Sequence, residues 1–242
     1  GSDPRKAPAV LSTIAFIEEA FGAWHIKGGI GTLSDHIAAR CAKVGVAINL
    51  NSPVASINLK RGKASGITLS NGEIVEADIV ISNADAGFTY NSLITTNTLK
   101  VKKIRKAQSK LEPSLAGFSL LLGLRPSNSP KLSHHTILFP DDYDAEFESI
   151  FTTKTPVEKP TIYICAPNDP TMVKSEGHEA LFVLVNAPRH SEDGSDGFNW
   201  GDTDFTQKYA HTIIDQIEAA GIPIRDRLDL LEIRTPLDLQ NA

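Results

Sequence analysis

Hydrophobic positions change their spacing several times along the chain, and each change marks an element. In residues 8–21 the side chains Val10, Leu11, Ile14, Ile17 and Phe21 recur at helical intervals with Glu18 and Glu19 opposite, which predicts an amphipathic helix. Residues 32–44 repeat the pattern with Leu33, Ile37 and Cys41 on one stripe, and Gly45 supplies a left-handed stop. A strand is expected at 46–50. From 54 to 76 the spacing becomes alternation, broken by Arg61-Gly62-Lys63 and Asn71-Gly72. Asn-Gly favours the positive φ angles of a tight hairpin turn, so this stretch predicts a three-stranded antiparallel meander. The run Ile79-Val80-Ile81 is continuous and β-branched, the pattern of a strand covered on both faces inside a parallel sheet.

The second half has a different texture. Residues 84–94 and 101–111 read as helices closed by Pro113, and strands are expected at 116–124, 134–139, 161–165 and 180–185, with a helix at 143–151. Well-spaced strands with long polar connections predict an antiparallel or mixed sheet. Residues 202–220 form a strong amphipathic pattern through Phe205, Tyr209, Ile213, Ile214 and Ile217, stopped by Gly221 and Pro223. A last strand is expected at 230–233. Residues 190–201, rich in Ser, Asp and Gly, read as a mobile loop. The expected fold class is α/β with mixed α+β character, with a boundary near residue 95.

With 242 residues, 41% hydrophobic and 22% charged, the chain is long enough to bury one large core or two smaller ones. Twenty-four basic residues against 29 acidic ones give a net charge of −5, too sparse a positive footprint for a nucleic-acid partner. Cys41 and Cys165 fit no metal spacing and read as inert thiols. Gly1-Ser2 without an initiating methionine reads as an expression scar or a cut end, so the true start is expected elsewhere. The longest nearly apolar run, 115–124, falls short of the roughly 20 residues needed to span a bilayer. A cytoplasmic or peripheral-membrane location is expected.

Residues 24–85 run from a short strand through Gly28-Gly29-Ile30-Gly31, a helix and the meander into Ser82-Asn83-Ala84-Asp85. This order reads as the middle of a dinucleotide-binding domain without its opening strand and phosphate loop. Gly29-Ile30-Gly31-Thr32-Leu33-Ser34 nearly matches the dinucleotide fingerprint, but its third small position is Ser, and Asn49 and Asn51 stand where a ribose-binding acid belongs. The helix end beside Gly28 and Gly29 still favours a nearby anion by about 0.3–1 kcal/mol. His134-His135 invites a metal reading, yet adjacent strand residues point to opposite faces, so no metal is expected. Asp141, Asp142, Asp144 and Glu146 read as the acidic start of a helix, Gly177-His178-Glu179 as a turn, and Asp202 and Asp204 as helix N-terminal residues. No Ser elbow and no Cys/His pair stands out, so no catalytic residue is assigned.

These motifs, in their order and spacing, resemble those of the phytoene desaturase-like flavin oxidoreductases, a branch of the group that also holds amine oxidases. The likeness rests on an aromatic strand into Gly-Gly-x-Gly-x-Leu at 24–33, Gly-Val-x-Ile at 45–48, Val-x-x-Ile at 54–57 and the strand ending in Ser-Asn-Ala-Asp at 79–85. His134-His135-Thr136-Ile137, Asp141-Asp142-Tyr143, Gly177-His178-Glu179-Ala180-Leu181 and Thr235-Pro236-Leu237-Asp238 extend it. The resemblance implies a Rossmann-like FAD-binding domain, here partial and covering 25–95, and a substrate domain at 96–242, with 1–24 packing on the latter. It implies non-covalent FAD and hydride transfer between flavin N5 and a long apolar polyene, with Gly28, Gly29, Val54, Asn83, Ala84 and Asp85 near the cofactor. The family's N-terminal phosphate loop and C-terminal flavin segment are missing, so this chain alone is expected to hold FAD weakly or not at all, without turnover. The alternatives are an amine oxidase-like enzyme, a polyene isomerase and a non-catalytic module that binds a lipid or a partner protein.

Overall fold

The computed structural model describes residues 6–111 and 113–241. In chain order the elements are α1 (Ser12–Phe21), α2 (Ile30–Lys43), β1 (Val54–Lys60), β2 (Lys63–Leu69), β3 (Ile74–Glu76), α3 (Ala86–Phe88) and α4 (Leu99–Gln108). There follow β4 (Ala116–Leu124), β5 (His135–Leu138), α5 (Tyr143–Phe147), β6 (Ile162–Cys165), β7 (Glu179–Ala187), α6 (Thr203–Ala219), β8 (Leu228–Arg234) and α7 (Pro236–Asn241). They divide into two compact units, residues 6–35 with 114–241, and His36–Pro113.

The larger unit is built on an antiparallel sheet in the order β5-β6-β7-β4-β8. Side chains on a strand alternate between faces. Phe118, Leu120, Leu122 and Leu124 of β4, with Ile162, Ile164, Val183 and Val185, therefore point to one side, where α6 delivers Ile213, Ile214 and Ile217. Asp202 caps α6 by accepting the Phe205 N–H at 3.0 Å. The stretch expected as a mobile loop ends inside this core: Trp200 is buried, its Nε1–H donates to the Pro188 carbonyl at 2.9 Å, and His190 bridges Phe198. The acidic start of α5 behaves as read, with Asp142 capping Ala145 N–H at 3.0 Å. Glu146 goes further and is fully buried, accepting from Thr161 N–H and Asn186 Nδ2, each at 2.7 Å.

The smaller unit holds the expected meander β1-β2-β3. Its tight two-residue turn is Arg61-Gly62, with φ of 52° and 79°. At Asn71-Gly72 only Gly72 has positive φ, and the loop has three residues with Asn71 Oδ1 accepting the Glu73 N–H at 2.9 Å. Gly66 sits at φ +143°, and a Cβ there would lie 2.2 Å from the Val75 carbonyl oxygen, so only glycine lets β3 approach.

Three expected strands do not form, the first being the short one leading into Gly28, where the chain is irregular and pairs with no strand among the described residues. Residues 46–50 and 78–81 are irregular, and Ile79 and Ile81 are 79% and 89% exposed. A parallel strand needs a hydrogen-bonding neighbour on at least one side, and among the described residues none lies there. Both sheets are antiparallel, so the parallel sheet is absent from the described residues while the mixed α+β character holds. The compact units also divide differently from 25–95 and 96–242. Residues 25–35 belong to the larger unit, where His25 and Gly28 bind Asp169. Helix α4 belongs to the smaller unit, where Arg105 ties it to residues 90–97 by donating to the Tyr90 and Ile94 carbonyls and to Asn97.

Candidate ligand cavity on the open face of the larger sheet

The same alternation that sends one set of side chains to α6 sends the other set outward. Strand register aligns His135, Cys165, Phe182, Leu121 and Glu232 in one row across all five strands. A second row places Ala180, Gly123 and Leu230 beside it. Over these rows lies a cavity of about 1070 Å³, also lined by Trp24, Ile30 and Met172. This size meets the upper end of ordinary small-molecule sites, at roughly 1,000 Å³. Carboxylates on its β8 side are already paired: Asp229 with Lys174 and Glu179 with Arg227, each at 2.5 Å.

One wall of the cavity is held by Asp169, which no sequence motif announced. Its Oδ2 accepts the Gly28 N–H at 2.7 Å and meets His25 Nε2 at 3.0 Å, while Oδ1 accepts from Thr171 Oγ1 at 2.6 Å and Thr171 N at 2.9 Å. The Thr171 hydroxyl foremost, then Gly28 and His25, hold this carboxyl well below the usual carboxylate range. Gly28 has φ +83°, and a Cβ there would lie 2.9 Å from Thr32 Cγ2. The Gly29 N–H donates to the Ile26 carbonyl at 2.8 Å. The glycine turn does attract an anion as its chemistry predicts, but that anion is Asp169 of the same chain.

The histidine pair is arranged otherwise than strand alternation implies. His134 precedes β5, so its side chain is free of the alternation, and its ring lies 4.5 Å from that of His135. One ring nitrogen from each and the Cys165 sulfur lie within 4.8 Å of one another. The reason given for separating the two imidazoles therefore fails. His135 Nδ1 meets the Tyr163 hydroxyl at 2.7 Å, and His25 stands edge-on to His134 at 5.2 Å. Burial, then the neighbouring His135 and His25, pull His134 below the ordinary histidine value. Burial and the Cys165 hydrogen bond leave the Tyr163 hydroxyl pushed up to about 12.

Of the remaining sequence-derived positions, Val54, Asn83, Ala84 and Asp85 lie in the smaller unit and His178 in the larger. Val54 opens β1 opposite Leu69, and Asn83, Ala84 and Asp85 are exposed. Asp85 Oδ1 accepts the Phe88 N–H at 3.0 Å, capping α3. His178 Nδ1 lies 2.8 Å from Ser175 Oγ in the turn before β7.

Residues 3–192 match the flavin containing amine oxidoreductases, and the chain belongs to that family. It is 33% identical over 194 residues to a zeta-carotene-forming phytoene desaturase of Myxococcus xanthus, covering 80% of this chain and 36% of that protein. It is 30% identical to a 4,4'-diaponeurosporene oxygenase of Staphylococcus haemolyticus, covering 100% of this chain and 47% of that one. The chain thus spans less than half the length of these relatives. Among solved structures, reduced UDP-galactopyranose mutase superposes with a TM-score of 0.59 at 17% identity, covering 86% of this chain and 39% of that one. At that identity the likeness shows the fold alone.

Proposed function

We propose that the protein to which this chain belongs is an FAD-dependent oxidoreductase acting on carbon–carbon bonds of a long apolar polyene. The observation that carries this reading is the cavity over the open sheet face, walled by Leu121, Phe182, Leu230, Trp24 and Met172. A polyene gains by burying apolar surface at about 25 cal/mol per Å². Of the carboxylates lining the cavity, Asp229 and Glu179 are engaged with Lys174 and Arg227, and Glu18 of α1 is exposed.

Bound FAD would supply the two-electron chemistry, and the chain would supply orientation and an apolar wall. Gly28, Gly29, Val54, Asn83, Ala84 and Asp85 are the flavin-side positions in this reading. Their donors fit close backbone approach rather than a phosphate cradle: Gly28 and Gly29 have given their N–H groups to Asp169 and Ile26, and Asp85 caps Phe88. The chain alone would then hold FAD weakly or not at all. Retention of yellow, stoichiometric flavin through purification would count against this. The meander and the segment around Asn83 belong to the flavin domain in this reading, and the five-stranded sheet to the substrate domain. Among the described residues no helix is long and apolar enough to cross a membrane; in this reading the intact enzyme collects its substrate at the membrane surface.

The test is binding of an acyclic polyene to the purified chain, read as quenching of Trp24, which is 86% exposed in the cavity wall. Quenching lost in Trp24→Phe and weakened at least about tenfold in Phe182→Asp supports the reading, since a buried charge without a partner is costly. Absence of polyene binding, or equal binding by Phe182→Asp, overturns it.

A further inference from the structure

The flavin reading leaves one cluster on the open sheet face without a role. His135 stands opposite Cys165 in the register of β5 and β6, and His134 completes a group of two imidazoles and one thiol whose donor atoms lie within 4.8 Å of one another. All three line the cavity. We propose that His134, His135 and Cys165 form a binding site for a borderline-soft divalent cation of the zinc type, with one coordination position left open to the cavity.

The donor set decides the class of ion. Two imidazoles and a thiolate suit zinc and its neighbours, whereas magnesium and calcium require oxygen ligands. A tetrahedral ion with bonds of about 2.0–2.1 Å to nitrogen and about 2.3 Å to sulfur spaces its ligands roughly 3.3–3.6 Å apart. From donor atoms within 4.8 Å of one another, the cluster reaches that spacing by a contraction of at most about 1.2–1.5 Å. Such movement is accessible because β5 is the edge strand of the sheet and His134 lies just before it. Three protein ligands leave the fourth position for water or a ligand oxygen, as in zinc sites that bind substrates.

The surroundings order the ligands in the manner of known metal sites. Tyr163 lies two residues before Cys165 on the same face of β6, with its hydroxyl 2.7 Å from His135 Nδ1. When Nδ1–H donates to that hydroxyl, Nε2 presents its lone pair. A hydrogen bond on the far ring nitrogen is the usual device for fixing a metal-binding histidine. Binding breaks the S–H bond of Cys165, forms the metal–sulfur bond and releases the proton to solvent, so no redox partner is involved.

The experiment is titration of the purified, tag-free, chelator-treated chain with Co²⁺ and Zn²⁺. One Co²⁺ per chain is expected, with a thiolate-to-cobalt charge-transfer band in the near ultraviolet, displaced by Zn²⁺ and not by Mg²⁺. Cys165→Ser should lose the band, and Tyr163→Phe should weaken affinity about 10–100-fold, as loss of an outer-sphere partner does. Because a variant can misfold, the unaltered chain supplies a second readout: Zn²⁺ should slow alkylation of Cys165 and leave Cys41 unchanged, mapped by mass. A cobalt spectrum without the thiolate band, undiminished binding by folded Cys165→Ser, or equal alkylation of Cys165 with and without Zn²⁺ overturns the assignment.

Discussion

Two regions of similar hydrophobic content end in opposite states. The strands of the larger sheet carry Phe118, Leu120, Ile164 and Val183 at 0% exposure against the apolar stripe of α6. The stripes of α1 and α2 and the run 79–81 are as apolar, yet Ile14, Phe21, Ile37 and Ile81 stand exposed. The helices of the second group formed anyway, while the run 79–81 did not. An α-helix satisfies its own backbone groups, whereas a strand needs a neighbour to do so. Apolar periodicity therefore predicts an element reliably where the element is self-sufficient, and predicts burial only where a covering surface exists.

The comparison is broken first at Trp200. Trp200→Ala should cost about 3–5 kcal/mol, the range for deleting a buried aromatic side chain, read by urea unfolding of the chain. A loss below about 1 kcal/mol, within the range of ordinary substitutions, would mean that residues 190–201 are not part of the core after all. Gly66→Ala comes next, at about 1–3 kcal/mol for a residue forced into a glycine conformation. Hydrogen exchange should show the damage in β2 and β3 and spare the larger sheet.

Asp169 offers a pH test of how the Gly28 turn is held. Its folded-state pKa is depressed, so its contribution to stability is complete above the unfolded value of about 3.9 and is lost as pH falls toward the folded one. Asp169→Asn should lower the melting temperature at pH 7, and the gap from the unaltered chain should narrow steadily below about pH 4. A gap independent of pH would remove the charged clamp. The smallest effect belongs to Ile81→Ser, expected within about 0.5 kcal/mol as for other surface changes. A larger loss would show that the run 79–81 is covered in solution.

Much of the architecture was legible beforehand because it is encoded over short distances. The apolar run at 116–124 became β4 with those bounds, the 3.6-residue period of 202–220 became α6, and Asp142 and Asp202 capped the helices they precede. Gly45, with φ 84°, ended α2. The helix, the caps and the Gly45 stop depend on sterics and hydrogen bonds within a few residues, so the local sequence determines them, whereas β4 needed β7 and β8 beside it as well.

What only the tertiary structure decided lies between residues far apart in sequence. Asp169 reaches Gly28 across 141 residues, and the Tyr163 hydroxyl meets His135 across 28. The row from His135 through Cys165, Phe182 and Leu121 to Glu232 exists because four strand registers agree, and a slip of one residue in any of them would turn that strand's side chains to the other face. Periodicity names the face of a strand but not its neighbour or its offset. The cavity, the clamp on the glycine turn and the histidine–cysteine cluster follow from pairing and packing, which no local pattern specifies.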